Sequence, residues 1–146
     1  MKPSRINHSQ GRLFEQRFSF DLDKSHPLLQ MGKLIDWHKI EEEIDARFED
    51  GPGQPPKPVR LVVGILMLQH MFDPSDEGAV ELWMENPYWQ AFCGYDYFAK
   101  EAPLHASSLP KWRKRIGVTG FEKILSIVVE ASLKAGLLKK KVSKRS

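Results

Sequence analysis

The sequence predicts an all-α protein: a compact multi-helix domain with a helix-turn-helix-like element and flexible termini. Three observations predict it. Apolar residues recur at helical spacing in several separate stretches, prolines and glycines punctuate the gaps between them, and no segment reads as a strand. The chain has 146 residues, of which 41% are hydrophobic, enough for one domain with a real core and too apolar for a disordered chain.

Taken in order, residues 1–27 are mixed, with Phe14, Phe18 and Phe20, and are expected to form an arm that drapes over the body or stays partly disordered. Leu28 to about Phe48 reads as helical. Asp36 is a plausible N-cap, and Trp37, Ile40, Ile44 and Phe48 make one apolar stripe. Glu41, Glu42, Glu43 and Asp45 then fall on the wet side, as a solvated acidic face. Residues 50–58 hold four prolines and two glycines and must be a connecting loop. Pro58 suits the first position of the next helix.

Val59 to Phe72 is apolar nearly all round, as a central helix should be. Asp73-Pro74 stops it. Ser75 followed by Asp76 and Glu77 supplies a cap and two acids where the helix dipole favours them. That helix runs to about Glu85 and buries Val80, Trp83 and Met84. Asn86-Pro87 breaks it, and Pro87 starts a short helix through Cys93.

Seven aromatics lie between Trp83 and Phe98. They suit a base-stacking platform, but aromatics at helical spacing beside a buried helix are expected to be core. After a loop from Gly94 to Pro103, Ala106-Ser107-Ser108 offers an N-cap for a short helix from Leu109 to Ile116, ended by Gly117. Thr119 caps a last helix from about Gly120 to Ala135, and Gly136 ends it. The expected organisation is an arm (1–27), a helical domain (28–136), and a basic tail or linker (137–146).

The net charge of +3 hides an asymmetry. Residues 1–102 carry 11 Lys/Arg and 17 Asp/Glu, whereas residues 103–146 carry 11 Lys/Arg against Glu122 and Glu130 alone. One end is therefore suited to meet a polyanion. The single cysteine, Cys93, excludes an internal disulfide and reads as a reduced, core-lining thiol. The residues after Met1 are polar, so no export signal is expected. The most apolar stretch, residues 59–72, would span only about 21 Å as a helix, short of a bilayer. A cytoplasmic, nucleoid-associated location without a membrane partner is expected.

The informative stretch is Ser107 to Gly117. At 100° per residue Leu109, Trp112 and Ile116 fall within about 60° of one another. Lys114 points nearly opposite, with Lys111 and Arg115 beside it and Arg113 on the flank. Such a helix holds itself down by three apolar residues and displays four cations, as a recognition helix in a major groove requires. Its first turn, with Ser107 or Ser108, suits a phosphate, and Arg and Lys suit guanine edges. The run Lys139-Lys140-Lys141 adds a second, sequence-blind phosphate site or a simple basic linker. Residues 94–106 are longer than the usual turn of a helix-turn-helix, so the match is to a variant.

Catalytic chemistry is not expected. The histidines His8, His26, His38, His70 and His105 show no ligand spacing, and no cysteine pair accompanies them. His70, on the central helix, reads as a hydrogen-bonded core histidine. Nothing predicts the converging carboxylates of two-metal phosphoryl transfer, so no metal or cofactor is expected.

Three blocks carry a resemblance. Residues 58–72 followed by Ser75-Asp76-Glu77, the run from Trp83 to Gly94, and Ser107-Ser108-Leu109 with Trp112 to Gly117 resemble, in the same order, the N-terminal domain of InsH-like transposases, the insertion-sequence-five group. The resemblance runs from about Leu28 to Arg145 and is looser over residues 1–27. It implies that full-length relatives bind terminal inverted repeats, and cut and join DNA with an RNase H-like domain whose two Asp and one Glu hold divalent metal. None of those catalytic residues has a counterpart here, and Lys141 to Ser146 resembles the linker that precedes the first of them. Pro110 departs from the polar residue usual at its position, which implies a helix shortened by one residue or an altered base contact.

The expected function is therefore that of a truncated transposase. This chain would bind double-stranded DNA at transposon ends, with homo-oligomers a further expectation, and would compete with an intact enzyme. The rival expectation is a helical protein-interaction module, in which residues 59–72 and 83–98 form a dimer face and the basic end is incidental.

Overall fold

Six α-helices and no strand make up the described part of the computed structural model, which comprises residues 22–48, 58–134 and 136. They are α1 (Pro27–Leu34), α2 (Trp37–Phe48), α3 (Val59–Phe72), α4 (Asp76–Glu85), α5 (Pro87–Phe92) and α6 (Ser108–Lys134). The fold is all-α, as the periodicity predicts. The arm before residue 22, the proline-rich stretch 49–57, the side chain of Phe48, Ala135 and the tail from residue 137, with Lys139, Lys140 and Lys141, lie outside the described residues.

The helical stretch from Leu28 is two helices, the second starting at the Asp36 cap that the sequence offers. Ile35 takes an extended ψ of 133°, and Asp36 caps α2 by accepting the Lys39 amide at 3.1 Å. Five residues of straight helix would set Ile35 and Ile40 about 140° apart. The corner lets both reach the core, at 4% and 0% exposure. The Trp37 indole folds back to donate to the Gly32 carbonyl at 2.9 Å. His26 begins α1, its Nδ1 accepting the Leu28 amide, while its ring stacks on Tyr88 at 3.9 Å. The Tyr88 hydroxyl in turn accepts the Asp23 amide, which pins residues 23–26 to α5.

α3 is the centre, with every residue from Leu61 to Leu68 buried. Pro58 is its N-cap, not its first helical residue, because a ψ of 138° holds Pro58 extended. Only the last turn emerges: Met71 and Phe72 are exposed, and Asp73 ends the helix in the left-handed region. His70 is exposed as well, against the expectation of a core histidine. It lies in the uncovered last turn, where it meets Phe121 edge-on at 5.5 Å.

Ser75 caps α4 through the Gly78 amide, and Asn86 caps α5 through the amides of Tyr88 and Trp89. Of the seven aromatics expected as core, Trp83, Trp89 and Phe92 are buried, Tyr88 and Tyr95 pack at the core's edge with Val80 and Met84, Tyr97 is half-buried, and Phe98 is exposed. Arg60 of α3 knits three elements, donating Nε to the Phe92 carbonyl at 3.0 Å and lying over the Trp37 ring. Gln90 is wholly buried. It donates to the carbonyls of Trp83 and Ala99 and accepts the Ala99 amide at 2.7 Å, so it anchors the connection from α5 to α6.

α6 packs on α2, α1 and α3. Gly117 interrupts it with φ 78° and ψ 168°, a conformation that suits glycine alone, and divides it into arms 108–116 and 118–134. The break falls where expected. The arms abut across that one residue, however, so Thr119 already lies inside the second arm. Ile124, Val128 and Ala131 bury that arm, and Gly120 sits flat under the Arg47 guanidinium, whose space any side chain there would invade.

Candidate nucleic-acid interface

The first arm of α6 owes its place to three buried side chains. Leu109, Trp112 and Ile116 are 0%, 9% and 3% exposed, each recovering a share of apolar burial worth about 1.5–3 kcal/mol for a full side chain. Their spacing forces the intervening cations to other faces. Lys111, Lys114 and Arg115 are exposed, and among the described residues neither lysine pairs with a carboxylate. Pro110 stands in the first turn, where its missing N–H costs the helix no bond, and the helix begins ahead of it at Ser108.

Arg113 behaves differently. Its guanidinium grips Asp76 with two prongs, Nη1 to Oδ1 at 2.9 Å and Nη2 to Oδ2 at 3.2 Å, and Nη1 also reaches the Gln69 Oε1 at 3.0 Å. The Gln69 amide donates to Asp76 Oδ1 at 2.7 Å and to the Pro74 carbonyl at 3.2 Å. The cluster thus joins the last turn of α3, the first turn of α4 and the basic arm. Hydrogen bonds from Arg113, then Gln69, hold the Asp76 carboxyl below its ordinary range, and the same carboxylate raises the Arg113 guanidinium.

The amino end of the arm was expected to be capped by serine. Instead the Ser107 hydroxyl pairs with His105 Nδ1 at 2.9 Å, and the Ser107 amide donates to that nitrogen at 3.2 Å. Ser108 is the first helical residue and is half-buried. His105 organises this turn, a role that carries no mark in the sequence beyond its position two residues upstream.

Of the nine expected contact residues, the fold brings Ser108, Lys111, Lys114 and Arg115 onto one short arm with Ser107 in the turn just ahead of it, ties Arg113 back to the body, and leaves Lys139, Lys140 and Lys141 outside the described residues. Gln69 and Asp76 were not foreseen as partners of Arg113. They lie 44 and 37 residues away in sequence, beyond the reach of any local pattern.

Two concavities, of about 430 and 340 Å³, flank Arg60, and no residue of α6 lines either. Among the described residues no group of three or more His, Cys, Asp or Glu is placed to hold a metal ion, and no helix is long and apolar enough to cross a membrane.

Residues 16–115, from the amino-terminal arm through the basic cations, match the family described as Transposase domain (DUF772). The chain belongs to this transposase domain family. It is also similar to the uncharacterized protein ORF8 in the nfe locus of Rhizobium meliloti, with 41% identity over 136 residues. That alignment covers 93% of this chain and 65% of the relative, so the transposase domain described here spans less than two thirds of that protein's length. No solved structure matches the chain. The transposase match ends at Arg115, so the second arm of α6 lies beyond it while packing on the same core.

Proposed function

We propose that this transposase-related chain binds double-stranded DNA through the 108–116 arm, and that its target is the terminal inverted repeats of an insertion sequence of the InsH-like group. The observation that carries the proposal is the division of that arm: Leu109, Trp112 and Ile116 are buried while Lys111, Lys114 and Arg115 are exposed. A helix anchored on one side can enter a major groove without loosening, its cations facing phosphates and base edges. Ser107 and Ser108 stand at its leading end, and Lys139, Lys140 and Lys141 would add phosphate contacts along the strand. The cut-and-join chemistry that the family name implies is assigned in this proposal to residues outside this chain.

The test is fluorescence anisotropy with a labelled duplex of an element's end, against a mixed-sequence duplex, across a salt series. Each phosphate contact adds about 0.9 to the slope of log affinity against log salt. Lys111→Ala/Lys114→Ala should lower that slope by about 2, and the end duplex should be preferred. A folded wild-type chain that binds neither duplex would refute the proposal.

The rival reading, a dimerisation module, has less support. Much of the faces it needs is occupied, since α3 from Leu61 to Leu68 and the rings of Trp83, Trp89 and Phe92 are buried within this chain, which leaves Met71, Phe72 and Phe98 as their exposed large apolar residues.

A further inference from the structure

The clamp between α3, α4 and the basic arm has a consequence that rests on the DNA-binding reading. We infer that Arg113 is a positioning residue and not a DNA contact: held by Asp76 and Gln69, it sets the rotation of the arm so that Lys111 and Lys114 are presented together.

Apolar pins resist lifting but are not directional. Leu109, Trp112 and Ile116 would keep their burial through a modest roll of the arm. A roll of about 20° carries a side-chain tip, about 6 Å from the helix axis, through about 2 Å. That exceeds what a hydrogen bond to a phosphate or a base edge tolerates. A two-pronged Arg–carboxylate pair fixes a plane as well as a distance, which a single charge cannot do. Arg113 follows the pin Trp112 and precedes Lys114, so locking its direction locks the cations on either side.

The far end of the clamp is itself rigid. Asp76 is the first residue of α4, behind the Ser75 cap, and Gln69 is bound to the Pro74 carbonyl across the α3–α4 corner. Both prongs of Arg113 and the third bond to Gln69 are made within the chain, at 2.9 to 3.2 Å. A groove contact would have to break them.

Asp76→Asn decides the point through its sign. Removing a carboxylate makes the chain more positive, so simple electrostatics, or a free Arg113 reaching a phosphate, would tighten DNA binding. Loss of positioning weakens it instead. We expect Asp76→Asn and Arg113→Lys each to weaken binding to the labelled duplex by on the order of tenfold. Circular dichroism should show the helicity kept well below the melting temperature. Arg113→Lys keeps the charge, so its salt slope should stay that of wild type, whereas Lys114→Ala should lower it by about 0.9. The exchange Asp76→Arg/Arg113→Asp should regain most of the lost affinity.

Unchanged or tighter binding by folded Asp76→Asn overturns the inference while leaving the DNA-binding reading intact. Should Asp76→Asn fail to fold, Arg113→Lys stands alone, and wild-type affinity in that variant overturns the inference equally. A folded wild-type chain that binds no duplex removes both.

Discussion

The sulfur of Cys93 occupies the space that a side chain at Gly64 would need. A Cβ built on Gly64 would lie 2.6 Å from Cys93 Sγ and 3.4 Å from the Cys93 Cα. This contact lets the central helix α3 approach the end of α5. Gly64→Ala should therefore destabilise the protein by about 1–3 kcal/mol, the range for overpacking a tight core, read as a lower midpoint in urea. Cys93→Ala removes the sulfur, so the double variant should lose less than the two single losses added together, a coupling that a double-mutant cycle measures.

Burial pushes the Cys93 thiol up from 9.0 to about 12, with the Trp83 indole and the Arg60 charge only partly offsetting it. In the folded protein the thiol should resist alkylation at neutral pH and react once the chain unfolds in denaturant. The folded value is raised above the unfolded one, so the stability it contributes is whole below pH 9.0 and declines as pH rises towards about 12. Cys93→Ala should flatten that alkaline decline. Rapid alkylation of the native protein would count against the packing described.

The Asp76 carboxyl is held below its ordinary value of 3.8, chiefly by the Arg113 hydrogen bond. A depressed carboxylate contributes stability above its unfolded value, which is lost as pH falls through the lower, folded one. The window therefore lies below pH 3.8. Both side chains are partly exposed, so solvent and salt screen the pair, and Asp76→Asn should cost about 1 kcal/mol at neutral pH. Thermal melts of the two proteins should converge as the pH is lowered through that window.

Gln90 should matter more than a lone polar residue suggests. Gln90→Leu removes three hydrogen bonds and leaves the Ala99 amide and the Trp83 and Ala99 carbonyls without that partner. A loss of about 1–3 kcal/mol follows, with faster hydrogen exchange at the Ala99 amide than in wild type. Exchange unchanged at Ala99 would mean that the connection is held by something else.

Gly117 has open space where a Cβ would go, yet its φ of +78° strains any other residue. Gly117→Ala should cost about 1–3 kcal/mol through the backbone alone, a loss that a glycine-to-alanine change in a straight helix would not show. A variant as stable as wild type would mean that the two arms of α6 accept another angle at little cost.

Much of this fold is legible in the chain because its cues are local. Ser75 and Asp36 cap helices at their expected places, Asn86-Pro87 parts α4 from α5 as expected, and Gly117 breaks α6 where the apolar spacing resets. The burial of Leu109, Trp112 and Ile116 follows from helical geometry alone. The end of α1 at Ile35 was less legible than the Asp36 cap that follows it, since no glycine or proline marks it; the extended residue lets Ile35 and Ile40 both reach the core. Nor was the outward position of His70, which depends on where neighbouring helices stop covering the last turn of α3.

By itself, then, the sequence determined the helices, several of their caps, the buried centre and the gathering of four cations on one late arm, because these depend on residues within a turn or two of one another. Tertiary structure alone decided what becomes of each cation. Arg113 turns inward because Gln69 and Asp76, brought from two other helices, converge where its guanidinium ends, whereas Lys111 and Lys114 meet no such partner among the described residues. Charge can be read along a chain, but pairing depends on distances that exist only once the helices have packed.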